Sequence, residues 1–206
     1  MGGGAILVLS GPSGAGKSTI IESASLQIGK FYFSISTTTR PPRIGERDGV
    51  DYHFVSKQEF EEDIKSGQFL EYATVHGNYY GTSLKPVQDA LERGELVIFD
   101  IDVQGHRLVR AKMGDLVTSV FITTPSLQEL KRRLYARSTD NSSIIEQRIK
   151  NAKEEIKAIS EFDFVIINDA LKSASSKFAT IANASRLKLS KHDLKKLVVQ
   201  WENNLS

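Results

Sequence analysis

The chain has 206 residues, of which 40% are hydrophobic and 25% charged, a composition typical of a globular protein and not of a disordered one. It contains no cysteine, which excludes disulfides, thiolate nucleophiles and zinc sites built on cysteine. The net charge of +2 is too small to indicate nucleic-acid binding, and no apolar run approaches the ~20 residues of a membrane-spanning helix.

The first residues, Met-Gly-Gly-Gly, lead directly into a short apolar run. They lack the basic segment and the small-residue cleavage site of a signal peptide, so we expect a cytoplasmic protein. Residues 5–10 (AILVLS) predict a strand buried on both faces, as in a parallel sheet. A helix is expected near residues 18–29.

Between this strand and this helix, residues 11–18 (GPSGAGKS) match the phosphate-binding pattern G-x-x-x-x-G-K-[ST]. Glycines let backbone N–H groups approach phosphate oxygens, and the helix adds the positive end of its dipole. Lys17 would reach the β- and γ-phosphates, and the Ser18 hydroxyl would bind Mg²⁺. We predict that the phosphates of a nucleoside triphosphate, ATP if the family resemblance given below holds, are bound by Gly11, Pro12, Ser13, Gly14, Ala15, Gly16, Lys17, Ser18 and Thr19.

A second anion-binding cluster follows the candidate strand 31–36, in the stretch SISTTTRPPRIGE at residues 34–46. Arg40 and Arg43 accompany several hydroxyls there, and the arginine fork binds phosphate in a bidentate manner. Because open α/β sheets bind ligands at the carboxyl ends of their strands, we expect this cluster beside the phosphate-binding loop. One edge would then bind a triphosphate and a phosphorylated acceptor. An exposed basic loop is the alternative.

The cluster opens an insert at residues 37–82, which is rich in Thr, Arg, Gly and Tyr. Strand-like pieces occur at residues 52–55 and 69–75. A Ser-x-x-Glu capping box that begins at Ser56 predicts a helix over about 57–66.

The chain then returns to the core, with a predicted helix at 83–93 and a buried strand at 96–101. Asp100 ends the apolar part of this strand and is a candidate Mg²⁺ ligand, partly through water. Asp102 would share its side of the strand if the extended geometry continued. For either aspartate, a helix cap or a salt bridge is the alternative. A helix at 104–112 and a strand at 117–123 follow.

Residues 126–160 form a second insert of two helices. Capping boxes at Ser126 and Ser143 predict helices over 126–137 and 143–159. The last part of the chain predicts a strand at 164–168, a helix at 172–184 and a basic helix at 188–201, for which a solvated face is favoured over a binding patch. We predict one domain of class α/β, whose three-layer α/β/α core with a parallel sheet comprises residues 1–36, 83–125 and 161–206.

The chain resembles the nucleoside monophosphate kinases, specifically the guanylate kinase family. The resemblance covers nearly the whole chain, in the family's order and spacing, through GPSGAGKST, STTTRPPRIGE, DGVDYHF, FLEYATVHGNYYGTS, IFDIDVQG and LKRRLYAR. It implies transfer of the γ-phosphoryl group of ATP to GMP, with Mg²⁺. We expect ATP and GMP as small-molecule partners, no nucleic acid, no membrane, and a monomer or a homodimer.

The resemblance also implies roles for residues. Insert 37–82 would be a small mixed α+β GMP-binding subdomain, in which the GMP phosphate contacts Ser36, Arg40, Arg43, Tyr52 and Tyr80. Guanine would contact Glu71, Thr82 and Asp102, with Gly81 beside them. Glu71 suits guanine because its N1/N2 edge presents two N–H donors, whereas adenine presents an acceptor at N1. The family often has serine in place of Thr82, and either hydroxyl can reach a base.

Insert 126–160 resembles the helical lid of that family. The resemblance implies that Arg133, Arg137 and Arg148 swing onto the phosphates and act in catalysis with Lys17 and Arg40. Any one lid arginine could instead be a solvated helix residue. Asn168 matches the family position near the adenine of ATP, although asparagine at a strand end is also a common turn former.

Three other functions are open. A guanylate kinase-like module that binds proteins without catalysis usually has an altered phosphate-binding loop or lacks the GMP-site arginines, and all of these are present here. A kinase for another nucleoside monophosphate is disfavoured by Glu71. A P-loop ATPase that acts on nucleic acid is disfavoured by the modest charge and by the second phosphate cluster.

Overall fold

The structure is a computed structural model that describes residues 4–43, 45–75, 77–136, 142–189 and 191–203. Within these ranges the strands are β1 (Ala5–Ser10), β2 (Phe31–Ser34), β3 (Thr37–Thr38), β4 (His53–Phe54), β5 (Phe69–Val75), β6 (Asn78–Ser83), β7 (Leu96–Asp100), β8 (Val117–Thr123) and β9 (Phe164–Ile167). The helices are α1 (Lys17–Ile28), α2 (Lys57–Lys65), α3 (Leu84–Glu92), α4 (Val103–Met113), α5 (Leu127–Ala136), α6 (Ser142–Glu155), α7 (Leu171–Ser185) and α8 (Lys191–Asn203).

The core is a parallel five-stranded sheet in the order β2-β7-β1-β8-β9. Strand β1 lies at its centre, and all six of its residues are buried. Leu7 and Leu9 pack on the face covered by α1 and α7, whereas Ile6 and Val8 pack on the face covered by α3 and α4. Since strands buried on both faces need apolar residues at every position, the nearly continuous apolar runs are explained. The predicted three-layer α/β/α core is confirmed.

Residues 37–83 add a smaller, mixed sheet in the order β4-β3-β6-β5. Strand β3 pairs in parallel with β4, and β6 is antiparallel to β3 and β5. Helix α2 covers this sheet with Phe60, whose ring stacks on Phe69 and Tyr79 at centroid distances of 4.3 and 5.1 Å. Strands β3 and β6 were missed in the sequence because they are short or polar and lack an apolar run.

The three capping boxes have different outcomes. At α2 the box forms completely between Ser56 and Glu59. At α5, Ser126 Oγ accepts a hydrogen bond from the Glu129 amide at 3.1 Å, but the Glu129 carboxylate accepts from two arginines instead of the cap. The helix predicted from Ser143 is present as α6, which begins one residue earlier, at Ser142. The capping box at Ser143 stays a prediction.

Helices α5 and α6 stand above the carboxyl end of the parallel sheet. Their facing sides form a small core of their own, made of Leu130, Leu134, Ile145 and Ala152. A 3₁₀ helix at Ile156–Glu161 leads back to β9. None of the described helices is long and apolar enough to cross a membrane. The cytoplasmic location expected from the sequence stays a prediction.

Candidate active site

A cleft of about 800 Å³ opens at the carboxyl ends of the parallel strands. The phosphate-binding loop lines one end, and the mixed sheet lines the other. The cleft brings together Gly11, Ser13, Gly14, Gly16, Lys17, Ser18, Thr19, Ser36, Arg40, Arg43, Tyr52, Glu71, Tyr80, Gly81, Asp100, Asp102 and Arg148. Five other predicted site residues lie outside its lining, namely Pro12, Ala15, Thr82, Arg133 and Asn168. Arg137 lies outside the described residues.

The phosphate-binding loop is pressed against the ends of β8 and β9. Gly11 has φ of +136°, and a Cβ there would lie 2.0 Å from the Ile122 carbonyl oxygen. Gly16 has φ of +92°, and a Cβ there would lie 2.5 Å from Asn168 Nδ2. Glycine is required at both positions because a side chain would be strained and would collide with its neighbours.

Lys17 and Asp100 meet beside this loop. Lys17 Nζ donates to the Gly11 carbonyl at 2.6 Å and lies 3.7 Å from Asp100 Oδ1. Burial raises the pKa of Asp100, and the charge of Lys17 acts in the opposite direction. The lysine is therefore held over the loop, where a phosphate oxygen could replace the carbonyl that it now contacts.

The same corner has oxygen donors suited to Mg²⁺. Ser18 and Asp100 both line the cleft next to Lys17. In nucleotide sites, Mg²⁺ usually takes one or two protein oxygens and completes its shell with water and substrate phosphates. No group of three or more His, Cys, Asp or Glu side chains that could hold a metal occurs in the described part of the chain. Ser18 and Asp100 fit an ion that takes most of its ligands from water and substrate.

Across the cleft, Arg40 is fixed from several sides. Its Nη2 donates to both carboxylate oxygens of Glu46 at 2.9 Å, and its Nη1 donates to the Pro41 carbonyl at 2.7 Å. The guanidinium lies 5.3 Å from the centroid of the Tyr52 ring. Glu46 also accepts from the Arg43 amide at 2.8 Å. Glu46 was not predicted as a site residue, although it is the one carboxylate in the stretch 34–46, which also contains two arginines.

Tyr52 and Tyr80 form the wall next to these arginines. Their ring centroids are 6.0 Å apart, edge to face. Burial raises the pKa of the Tyr52 phenol, so this hydroxyl stays protonated and can donate to an anion. Arg43 is exposed at the mouth of the cleft. The arrangement suits a phosphate group that enters from solvent.

Glu71 forms the inner end of this half of the cleft and is only 5% exposed. Thr82 Oγ1 donates to Glu71 Oε1 at 2.7 Å. Burial raises the pKa of Glu71 to about 7; Thr82 and Lys112 lower it, and the nearby charge of Asp102 raises it. Lys112 was not predicted as a site residue. It acts on Glu71 through its charge and donates a hydrogen bond to the Leu70 carbonyl.

Asp102 does not continue strand β7, which ends at Asp100. It is the N-cap of α4, where its Oδ1 accepts from the Gly105 amide at 2.8 Å. Gly105 comes so close to Glu71 that a Cβ on it would lie 3.3 Å from Glu71 Oε2. The cap thus places Asp102 and Glu71 at the same end of the cleft.

Behind the phosphate-binding loop, Asn168 acts as an anchor. Its buried Nδ2 donates to the Ala15 carbonyl at 2.8 Å, and its own carbonyl accepts from Arg133 Nη2 at 2.8 Å. Arg148, from α6, donates to Ser13 Oγ at 3.1 Å. Two arginines of the second insert thus lie next to the loop. A contact of Asn168 with adenine stays a prediction.

The fold and this cleft define a class of protein. The central strand of a parallel α/β/α sheet leads into a phosphate-binding loop, and arginines and tyrosines face that loop from a second sheet. This is the architecture of a P-loop nucleotide kinase, in which one cleft holds a triphosphate and a phosphorylated acceptor.

Comparison with known proteins gives the family. The family model described as guanylate kinase matches residues 4–185. The guanylate kinases of Sulfurimonas denitrificans and Wolinella succinogenes are 58% and 52% identical over 200 residues, which cover 97% of this chain and 97% and 93% of theirs. A crystal structure of guanylate kinase from Anaplasma phagocytophilum aligns with a TM-score of 0.75 at 34% identity, over 91% of this chain and 89% of that one. The chain belongs to the guanylate kinase family.

Proposed function

We propose that the chain is a guanylate kinase that transfers the γ-phosphoryl group of ATP to GMP, giving ADP and GDP. One observation carries the proposal: Lys17 and Ser18 share a single cleft with the arginines of the second cluster and with Glu71. The cleft therefore offers one anion site for each substrate and a carboxylate for the base. Identity of 58% to a named guanylate kinase over nearly the full length supports the same function.

GMP would occupy the half of the cleft next to the mixed sheet. Its phosphate would be bound by Ser36, Arg40, Arg43, Tyr52 and Tyr80. Guanine would lie between Glu71 and Asp102, near Gly81. The Glu71 carboxylate would accept hydrogen bonds from the base N1–H and N2–H, and Thr82 would orient this carboxylate through the hydrogen bond that it donates.

ATP would place its phosphates on the amides of residues 11–19, with its adenine near Asn168. A GMP phosphate oxygen would attack the γ-phosphorus in line, and the bond to the β-phosphate oxygen would break as ADP leaves. Because this oxygen is already anionic, no general base is needed. Lys17, Arg40, Arg133, Arg137 and Arg148 would stabilise the charge that develops.

Mg²⁺ would be held by Ser18 and Asp100, the latter partly through water. When bound with ATP, the ion supplies positive charge to the phosphates. Lys17 would have a different role, which is to bind a phosphate oxygen directly. Its Nζ lies between the Gly11 carbonyl and Asp100 and is positioned to move onto such an oxygen.

Closure of the two inserts would protect the reaction from water. We propose that residues 37–82 form the GMP-binding subdomain and 126–160 the lid. Each packs around a cluster of its own, Phe60 with its aromatic neighbours in the first and Leu130 and Leu134 in the second. Two compact inserts at opposite ends of one cleft can approach each other and exclude water from the γ-phosphoryl group.

A coupled assay of ADP release tests the function. The purified chain is mixed with ATP and Mg²⁺ and then with GMP, AMP, CMP or UMP in turn. We expect turnover with GMP to exceed that with each other acceptor by at least ~100-fold, because only guanine pairs two donors with Glu71. Turnover with AMP and none with GMP would contradict the guanine assignment. A folded sample that is inactive with all four acceptors would support the protein-binding module.

A further inference from the structure

Glu129 has no role in the function described above, yet it is tightly engaged. It lies in the first turn of α5, and its two carboxylate oxygens accept hydrogen bonds at 2.7 Å from Arg132 and Arg133. The hydrogen bonds from Arg132 and Arg133 lower the pKa of Glu129 to about 2, so the carboxylate is ionised throughout the physiological pH range.

The two arginines bound to Glu129 are in different surroundings. The Arg132 side chain is 70% exposed, whereas that of Arg133 is 24% exposed. Arg133 Nε donates to Glu129, and its Nη2 donates to the Asn168 carbonyl at 2.8 Å. The guanidinium of Arg133 is thus held at two edges, by its own helix and by the residue after β9.

The position at which Arg133 is held lies beside the phosphate-binding loop. Its Nη1 is 3.9 Å from the place where a Cβ would sit on Gly16. The same helix touches the loop with Leu134 and Leu130, which lie 2.9 and 3.3 Å from the Cβ position of Gly14. Helix α5 is therefore docked on the loop, and Arg133 is already close to where phosphates would bind.

We propose that Glu129 is a positioning residue, which holds the Arg133 guanidinium against the phosphate-binding loop before the nucleotide arrives. A free arginine must lose the freedom of several side-chain torsions when it binds phosphate, and a guanidinium held in place has already lost it. The negative charge of Glu129 partly cancels the positive charge that Arg133 presents to the phosphates. Any benefit of Glu129 must therefore come from the orientation that it gives to Arg133. This inference rests on the proposed function.

Two substitutions separate orientation from charge. Glu129→Ala removes the acceptor, and we expect kcat with ATP and GMP to fall about tenfold with the KM for GMP unchanged. Glu129→Gln keeps an oxygen that can accept from Arg133 Nε, and we expect kcat within about threefold of wild type. The matched control is Glu154→Ala, which removes an exposed glutamate that accepts from Lys157 at 2.6 Å on α6; its kcat should not change.

A second arm tests whether Glu129 acts through Arg133. In an Arg133→Met background, adding Glu129→Ala should change kcat less than about twofold, because the group to be positioned is gone. The same tenfold loss in both backgrounds would overturn the proposal, as would a Glu129→Ala variant with wild-type kcat or one that only raises the KM for ATP. Melting curves confirm that each variant is folded. If the wild-type chain fails to phosphorylate GMP, the proposed function is at fault and not the role of Glu129.

Discussion

At the residue scale, the end of the cleft proposed to bind guanine depends on one short hydrogen bond, between Thr82 and Glu71. Thr82 and Glu71 are both buried, and the bond between them satisfies the Thr82 hydroxyl and one oxygen of the Glu71 carboxylate. The bond also selects one carboxylate orientation. Since the proposed recognition of guanine by Glu71 would need both oxygens in a defined plane, Thr82 is expected to affect GMP and not ATP.

A matched pair of substitutions tests this dependence. Thr82→Val keeps the shape and removes the hydroxyl, so we expect the KM for GMP to rise about tenfold while the KM for ATP stays the same. Thr82→Ser keeps the hydroxyl and should stay within about twofold of wild type. Steady-state kinetics with each substrate varied in turn gives both constants. If the two variants behave alike, the hydroxyl does not position Glu71.

At the element scale, helix α5 joins the second insert to the phosphate-binding loop. One face packs Leu130 and Leu134 against α6, and the same side chains touch the loop at Gly14. The sequence predicted this helix from its capping box and apolar spacing. The contact with the loop could not be predicted, because Gly14 and Leu134 are far apart in the chain and their spacing follows no local pattern.

The packing of α5 can be tested with two leucines of this helix. Leu134 is 2% exposed, so Leu134→Ala should lower the free energy of unfolding by about 2–4 kcal/mol through the cavity it leaves. Leu127 is 39% exposed, and Leu127→Ala should cost less than about 1 kcal/mol. Urea unfolding followed by circular dichroism measures both. Equal losses for the two variants would show that α5 is not docked as described.

Helix α4 connects the end of the cleft that contains Glu71 and Asp102 to Glu161, where the chain returns from the second insert. Asp102 caps its start, while Arg107 donates two hydrogen bonds to Glu161 at 2.7 and 2.6 Å. On the buried side of α4, the ring of His106 stacks on Phe162 at a centroid distance of 4.0 Å. Burial lowers the pKa of His106 to about 4, and the charge of Arg110 acts in the same direction.

At the scale of the whole molecule, Glu71 and His106 give stability opposite dependences on pH. Glu71 has an ordinary pKa of 4.5 and a pKa of about 7 in the fold, so its contribution is complete below pH 4.5 and is lost as the pH rises through 7. His106 has an ordinary pKa of 6.5 and about 4 in the fold, so its contribution is complete above pH 6.5 and is lost as the pH falls through 4. Between pH 4.5 and 6.5 the two slopes oppose each other.

Single substitutions should reveal the two slopes. As the pH is lowered from 6.5 to 4.5, wild type gains stability from Glu71, and Glu71→Gln lacks this gain. The free energy of unfolding of Glu71→Gln should therefore fall by about 1–3 kcal/mol relative to wild type over this range. His106→Phe keeps an aromatic ring over Phe162 and should change by a similar amount in the opposite direction. Urea unfolding at several pH values measures both differences, from which groups common to all three proteins cancel. Parallel curves for the three proteins would refute the linkage.

The sequence by itself determined the core fold and the chemistry of the phosphate-binding loop. Both depend on local patterns: apolar runs that suit strands buried on two faces, and glycines, lysine and serine at fixed spacing between Gly11 and Ser18. Tertiary structure decided the rest, namely that Thr82 orients Glu71, that Asn168 anchors Ala15 across 153 positions, and that Arg133 reaches Asn168 across 35. The physical reason is that burial and long-range contacts set the pKa of Glu71 and the orientations of these side chains, and neither is encoded in the spacing of neighbouring residues.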